Sequence, residues 1–332
     1  VWQNLTPESL HIASKTAMAE LLLSGCTTSA DHHYVFPRGL ENAIDIQVKA
    51  AREMGIRSVL TRGSMNLSQK DGGLPPDSVV QDEDVILADC ERLIHKYHDD
   101  SDGAMIQIAL APCSPFSVSK SIMKHTAILA KKHNVQMHTH LSETEDENQF
   151  CLKMFGCRPL DYLEQVGWLN DRTWLAHAIH YTDEELVRLG RAGVGMGHCP
   201  SSNMILSSGM FRGVEAERAG CKVSIAVDGS GANDHSNMML ELRQAFLLQR
   251  LQYSSALSHN DILRWGTKGG AAALGRTDIG ELAVGKQADI AMFKLDEIQF
   301  MGADNPLAAL IICGATRADK VMVKGKLLVD NG

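Results

Sequence analysis

Aromatic residues make up only 5% of this 332-residue chain, so a binding mouth built chiefly from stacked rings is not expected. Positive charge is also in deficit: 32 Lys and Arg stand against 40 Asp and Glu, a formal net charge of −8. Basic patches are what hold phosphate backbones and anionic bilayers, so neither nucleic acid nor a membrane surface is an expected partner. No window approaches the ~20 apolar residues of a spanning helix. The start, VWQNLTPESLHIASKTAMAELLLSG, lacks a basic segment followed by a short apolar core, which predicts no secretory signal peptide. It also lacks an initiator methionine and opens just before a helical pattern, which points to a truncated or processed start. The eight cysteines (26, 90, 113, 151, 157, 199, 221 and 313) include no CxxC pair. Reduced, mostly buried thiols in a cytoplasmic protein are the expectation. No GxGxxG follows a strand and no HExxH lies on a helix, which removes a nicotinamide-dependent dehydrogenase and a zinc protease from consideration.

What the chain does contain is alternation. Its 44% hydrophobic and 22% charged residues are ordinary for a globular protein. Short apolar runs at 25–33, 55–63, 104–113, 135–143, 173–180, 193–200 and 222–230 read as strands. Amphipathic segments at 40–54, 119–133, 158–167, 182–193 and 239–253 read as the helices between them. Parallel strands need crossover helices, and seven such units fit a (β/α) barrel of about 250 residues better than a doubly wound sheet. After about residue 283 the pattern changes to short alternating strands with a Lys-Gly turn in ADIAMFKLD and DKVMVKGKLLVDNG. So few strands do not stand alone and should pair with a segment from elsewhere.

Mapped onto those strands, the polar residues fall at C-terminal ends. His140 and Glu143 end one strand, His177 and His180 the next, His198 the next, and Asp228 the last. In a parallel barrel these ends form one mouth, where catalytic groups from different strands converge. Imidazoles with a carboxylate suit a borderline divalent cation such as zinc. A lone histidine at a strand end is more often a hydrogen-bonded rim residue, but four successive strands ending in His or Asp outweigh that reading for His140, Glu143, His177 and Asp228. His138, His180 and His198 fit either reading. His32 and His33 are adjacent and must point to opposite faces.

Five stretches, HTHLSETEDE, WLAHAIHYTDEE, GMGHCPSSNMIL, SIAVDGSGAND and LGRTDIGELAVGKQADI, occur in one order across the chain. Together they resemble the amidohydrolase superfamily, in the branch that deaminates purines, pterins and s-triazines. The resemblance implies an α/β fold, a (β/α)8 TIM-type barrel over 1–283, with 284–332 supplying the C-terminal part of a β-sandwich. It implies one divalent metal ion, zinc or iron, with His140, Asp228 and His177 as the metal set. It further implies that Glu143 shuttles protons, His177 sits beside the hydrolytic water and Asp228 takes that water's proton. The implied reaction is hydrolytic deamination of an amino-substituted heterocycle. The first candidate substrate is 8-oxoguanine, with isoxanthopterin, guanine or a hydroxy-s-triazine as alternatives. Homo-oligomers are usual in such a family, and symmetric assembly is common generally.

Substrate contacts are expected in loops after the strands, with Arg62, Cys113, His180 and Asn203 singled out. Phe116 could stack on a bicyclic ring, although core packing is the commoner use of such a residue. One departure is serious: the family's first strand carries a His-x-His pair, and nothing before residue 25 matches it. The sequence is therefore expected to lack the first strand and half of the sandwich. That keeps open a different class of function, an inactive metal-free scaffold of amidohydrolase ancestry.

Overall fold

The computed structural model describes residues 2–332. Seven strands form one parallel sheet in sequential order: β1 (Thr28–Ala30), β2 (Arg57–Ser64), β3 (Ile106–Pro112), β4 (Met137–Leu141), β5 (Thr173–His177), β6 (Gly195–His198) and β7 (Lys222–Ile225). Each strand pairs with its sequence neighbours, and β1 and β7 are the two edges of the curled sheet. Helix α1 (Pro7–Leu23) precedes the sheet; between the strands run α2 (Ala43–Met54), α3 (Glu83–Tyr97), α4 (Lys120–His133), α5 (Glu145–Phe155), α6 (Pro159–Gln165), α7 (Asp183–Arg191), α8 (Pro200–Ile205) and α9 (Gly213–Ala219), and α10 (Met238–Tyr253) follows β7.

Local chemistry sets these boundaries. The Thr182 hydroxyl accepts from Glu185 N while the Glu185 carboxylate accepts from Thr182 N, a reciprocal cap that starts α7. The Ser119 hydroxyl starts α4, and Asn134 at φ 55° ends it in the left-handed conformation. Most of the observed strands are shorter than the apolar runs at both ends; for 173–180 and 222–230 the whole loss is C-terminal, where the mouth residues leave extended geometry. Helices α3 and α5 carry so many acidic residues that their apolar faces did not register as a pattern.

Strand alternation divides the core in two. Val59, Ala109 and Trp174 point inward with Ala273 and plug the interior of the sheet. Leu60, Met137, Leu141, Leu175 and Met196 point outward into the large cluster shared with the helices.

The C-terminal region forms a separate antiparallel sheet, β8 (Ile290–Met292), β9 (Lys320–Val323) and β10 (Lys326–Asp330), in the order β10-β9-β8. Lys324 and Gly325, at φ 50° and 76°, make the tight β9–β10 turn that the Lys-Gly pair foreshadows. This sheet packs on the parallel one. Val321, Val323 and Val329 share a core with Leu10, Met18 and Leu21 of α1. Arg57, fully buried at the start of β2, forms a two-pronged ion pair with Asp289, at 3.0 and 3.1 Å. At Gly25, φ is 91° and an added Cβ would lie 2.8 Å from the Phe293 ring, so only glycine fits between α1 and β8. No helix among the described residues is long and apolar enough to cross a membrane, and all eight cysteines are free.

Candidate active site

His138 and His140 alternate with outward Met137 and Leu141 and therefore share the inward face of β4. His138 stacks on the Trp174 ring at 4.6 Å, and its Nδ1 meets the Trp174 carbonyl at 3.0 Å. Burial, with His140 beside it, pushes His138 down to about 3, so it is a neutral imidazole. The Nδ1–H of His140 donates to the Cys113 carbonyl at 2.8 Å, which leaves the Nε2 lone pair free. Its ring is stacked between those of His32, at 4.6 Å, and His177, at 5.5 Å.

His177 reaches the same space by breaking alternation. Trp174 faces in and Leu175 out, so a regular strand would carry His177 outward. Instead its φ is 67°, and Ala178 follows at 52°. Asp228 sits at 63° and Ser142 at 55°. Left-handed conformations at non-glycine residues are costly and gather at functional sites; here they lie at the ends of β4 and β5 and just beyond β7. Asn203 Oδ1 accepts the Nδ1 proton of the buried His177 at 2.9 Å, which points the Nε2 lone pair into the mouth. That Nε2 lies 3.7 Å from Glu143 Oε2 and 3.9 Å from Asp228 Oδ2.

The two carboxylates are held independently. Asp228 Oδ2 accepts from the Ser202 hydroxyl at 2.6 Å, and Oδ1 from Gly229 N at 2.6 Å. Burial opposes its charge, but the Ser202 hydroxyl, His177 and these N–H contacts outweigh burial and hold it below the usual carboxylate range. The backbone of Glu143 is fixed by Glu147, a fully buried residue of α5. One Glu147 oxygen accepts from Ser142 N at 2.8 Å and the other from Glu143 N at 3.3 Å. Burial pushes Glu147 up to about 8 despite those N–H donors. Because its folded pKa exceeds its ordinary 4.5, its contribution to stability is complete below about pH 4.5 and is lost as pH rises towards 8. Glu147→Gln keeps one acceptor and leaves one buried N–H unpaired, a cost of about 1–3 kcal/mol. Denaturant titrations should show the wild-type advantage shrinking between about pH 5 and 8; a constant difference would contradict the buried, protonated carboxyl.

His140, His177, Asp228 and Glu143 are therefore brought together. Cys113 joins them through its carbonyl, and Asn203 through His177. His180 lies at the rim, its Nε2 2.7 Å from the Ser208 carbonyl, while the Ser208 hydroxyl donates to Glu143 at 3.4 Å. Arg62 does not join them. It shares the outward face of β2 with Leu60, and its buried guanidinium donates to Asp89 at 2.6 Å and to Gln81 at 2.9 Å. Strand parity is the reason: residue 61, not 62, faces inward. His198 likewise turns outward and stacks on Phe211 at 4.6 Å. Phe116 packs on Phe150 at 4.8 Å. Of the adjacent pair His32 and His33, the former lies against His138 and His140 and the latter against Phe36. Tyr34, whose ring meets that of His140 edge to face at 5.9 Å, is not distinguished by its spacing from a core residue, whereas Cys199 and Ser202 lie in the GMGHCPSSNMIL stretch that carries the family resemblance.

A divalent ion fits this donor set. His177 Nε2, Cys199 Sγ and an Asp228 oxygen lie within 4.8 Å of one another. Two ligands about 2.1 Å from one tetrahedral ion stand about 3.4 Å apart, so the 3.9 Å His177–Asp228 separation needs only a small closure. The lone pairs of His140 and His177 are aimed by hydrogen bonds at their opposite nitrogens, as metal-binding imidazoles require. Burial pushes the Cys199 thiol well up, so it stands there as a neutral thiol, a poor ligand. Below the mouth a cavity of about 950 Å³, lined by His32, His138, His140 and Asp228, extends between β1 and β7 towards Met18 and Phe293.

Residues 2–328 match the Amidohydrolase family. The chain is 59% identical over 333 residues to 8-oxoguanine deaminase of Pseudomonas aeruginosa, covering 100% of this chain and 74% of that protein. It is 34% identical to an isoxanthopterin deaminase from an unknown prokaryotic organism, covering 92% of this chain and 67% of that one. Among solved structures, the zinc complex of atrazine chlorohydrolase from Arthrobacter aurescens TC1 superposes with a TM-score of 0.94 at 33% identity, covering 98% of this chain and 73% of that one.

Proposed function

This chain belongs to the amidohydrolase family, and we propose that it hydrolyses the exocyclic amine of 8-oxoguanine to give urate and ammonia. The geometry that carries the reading is the His177 Nε2 lone pair, fixed by Asn203 and set between Glu143 and Asp228 at 3.7 and 3.9 Å. The 59% identity to 8-oxoguanine deaminase over the whole chain supports the substrate.

His140 and Asp228, with His177 beside them, would hold the ion. When bound, a zinc-type ion lowers the pKa of water towards ~7. Asp228, kept ionised by Ser202 and Gly229, takes the proton of the attacking water. His177 positions that water against the ring carbon bearing the amine. Glu143 delivers a proton to the adjacent ring nitrogen, so no full negative charge builds up on the ring. It then takes the proton of the added hydroxyl and passes it to the departing ammonia, while the proton held by Asp228 restores Glu143 for the next cycle. Water adds to carbon, the carbon–nitrogen bond breaks, and a ring carbonyl remains. Cys113 and His180 line the approach through the contacts described above, and Asn203 acts through His177.

The seven-stranded sheet is read as the greater part of a (β/α)8 barrel over 1–283, and the β8–β10 sheet as part of a β-sandwich over 284–332. The high similarity to the zinc-bound chlorohydrolase structure supports both. The free thiols fit a cytoplasmic purine-processing enzyme, and a homo-oligomer is the expected state.

Ammonia release from 8-oxoguanine, isoxanthopterin, guanine and a hydroxy-s-triazine tests the substrate. The expected result is a kcat/KM for 8-oxoguanine at least about tenfold above the others, a difference of about 1.4 kcal/mol in transition-state binding. A higher value for isoxanthopterin would move the chain to the pterin deaminases.

A further inference from the structure

Helices α3 and α4 lie side by side outside β3, and both end at the opposite pole of the sheet from the mouth. Glu91 and His95 are one turn apart on α3 and so share a face. His133 is the last residue of α4, immediately before the left-handed Asn134. Donor atoms of these three side chains lie within 4.8 Å of one another. His133 Nε2 is 3.2 Å from Glu91 Oε1, and the His95 and His133 rings meet edge to face at 5.1 Å. None of the three is used in the chemistry at the mouth.

We propose that Glu91, His95 and His133 form a second, peripheral binding site for a borderline divalent cation, with zinc as its natural occupant. Two imidazoles and a carboxylate are a three-ligand set that zinc completes with water. The imidazoles select against magnesium and calcium, which take oxygen ligands.

Three features of the surroundings support the assignment. His95 takes no hydrogen bond or ion pair among the described residues, so its ring nitrogens are free to bind. His133 is half-buried in the groove between the helices, with 13% of its side chain exposed, which limits its rotamers. Glu91 is partly exposed at 39%, leaving water access to complete the coordination. The one competitor is Lys132, whose ammonium bonds the same Glu91 oxygen that faces His133. A bound cation would displace that ammonium, at little cost for an exposed pair.

Such a site pins α3 to α4. Through Asp89, α3 also holds the buried Arg62 guanidinium of β2. A ligand that binds only the folded state raises its stability by mass action, so occupancy would stabilise this side of the sheet without touching the reaction.

The test is equilibrium dialysis of the metal-loaded protein against Zn²⁺, with metal counted per chain and thermal unfolding read in parallel. The wild type should bind one zinc beyond the catalytic ion, with a rise in Tm. His95→Ala and His133→Ala should each weaken that binding by at least about 100-fold, since even outer-sphere partners of a metal are worth 10–100-fold. Both variants should keep wild-type ammonia release. Lys132→Ala, which removes the competitor, should bind the extra zinc at least as tightly as wild type. Extra zinc that survives the double histidine replacement, no extra zinc in the wild type, or weaker binding in Lys132→Ala would each overturn the assignment.

Discussion

Glu143→Gln is expected to lower kcat for ammonia release by about 10²–10⁴-fold while leaving the fold and the metal content intact. Glutamine is nearly isosteric and can still accept from the Ser208 hydroxyl, which meets Glu143 at 3.4 Å. Its backbone N–H stays bonded to Glu147, so the loop should not move. What is lost is a group able to give a proton to the ring nitrogen and to the leaving amine. In the proposed reaction both protonation events belong to this residue, so removing it should affect both addition and expulsion. KM should change far less than kcat, because a proton transfer is realised only in the transition state. A variant with nearly unchanged kcat would show that the shuttle is another group.

Replacing Asp228 should have an effect as large, through a different route. Asp228 faces His177 at 3.9 Å while accepting hydrogen bonds from Ser202 and Gly229. Asp228→Ala removes the proposed metal ligand and the proposed base for the water proton, and it leaves the Ser202 hydroxyl without its acceptor. Both bound metal and turnover should fall below detection. Asp228→Asn is the more informative variant. Its amide oxygen can still ligate weakly, but it cannot take a proton, and its NH₂ would meet one of the two donors that now serve the carboxylate. Metal content is therefore expected to fall in part, and kcat by at least about 10³-fold, near the upper half of the range for general base catalysis. Elemental analysis beside steady-state kinetics separates the two losses. Full activity with full metal in Asp228→Asn would remove Asp228 from the chemistry.

Much of this site was legible in the residues, and the reasons differ from one to the next. His140 and Asp228 could be placed because parallel strands expose their C-terminal ends at one mouth, so position along an apolar run carries information about space. Facing was harder. Arg62 looked like a mouth residue by position, but alternation from Val59 sends it outward to Asp89. His177 would have failed the same parity argument. It enters the site only because its φ of 67° departs from the strand, and a departure of that kind has no signature in composition. Glu147 lies in TEDEN, which reads as a solvated acidic first turn of a helix; its burial follows from the fold of the Ser142–Glu143 loop over it. Asn203, by contrast, was found through its neighbourhood in HCPSSN, although its role in orienting His177 required the structure. At the C-terminus, the Lys-Gly turn announced the β9–β10 hairpin, while the Arg57–Asp289 pair that ties this sheet to β2 joins residues too far apart in sequence for any local pattern to connect.

The most direct test of the account is ammonia release from 8-oxoguanine by the zinc-loaded protein, measured before chelation, after chelation and after zinc is restored. The account predicts urate and ammonia in equal amounts, loss of turnover on chelation, and recovery with zinc. Failure of the folded, zinc-loaded protein to release ammonia, or turnover indifferent to chelation, would contradict it.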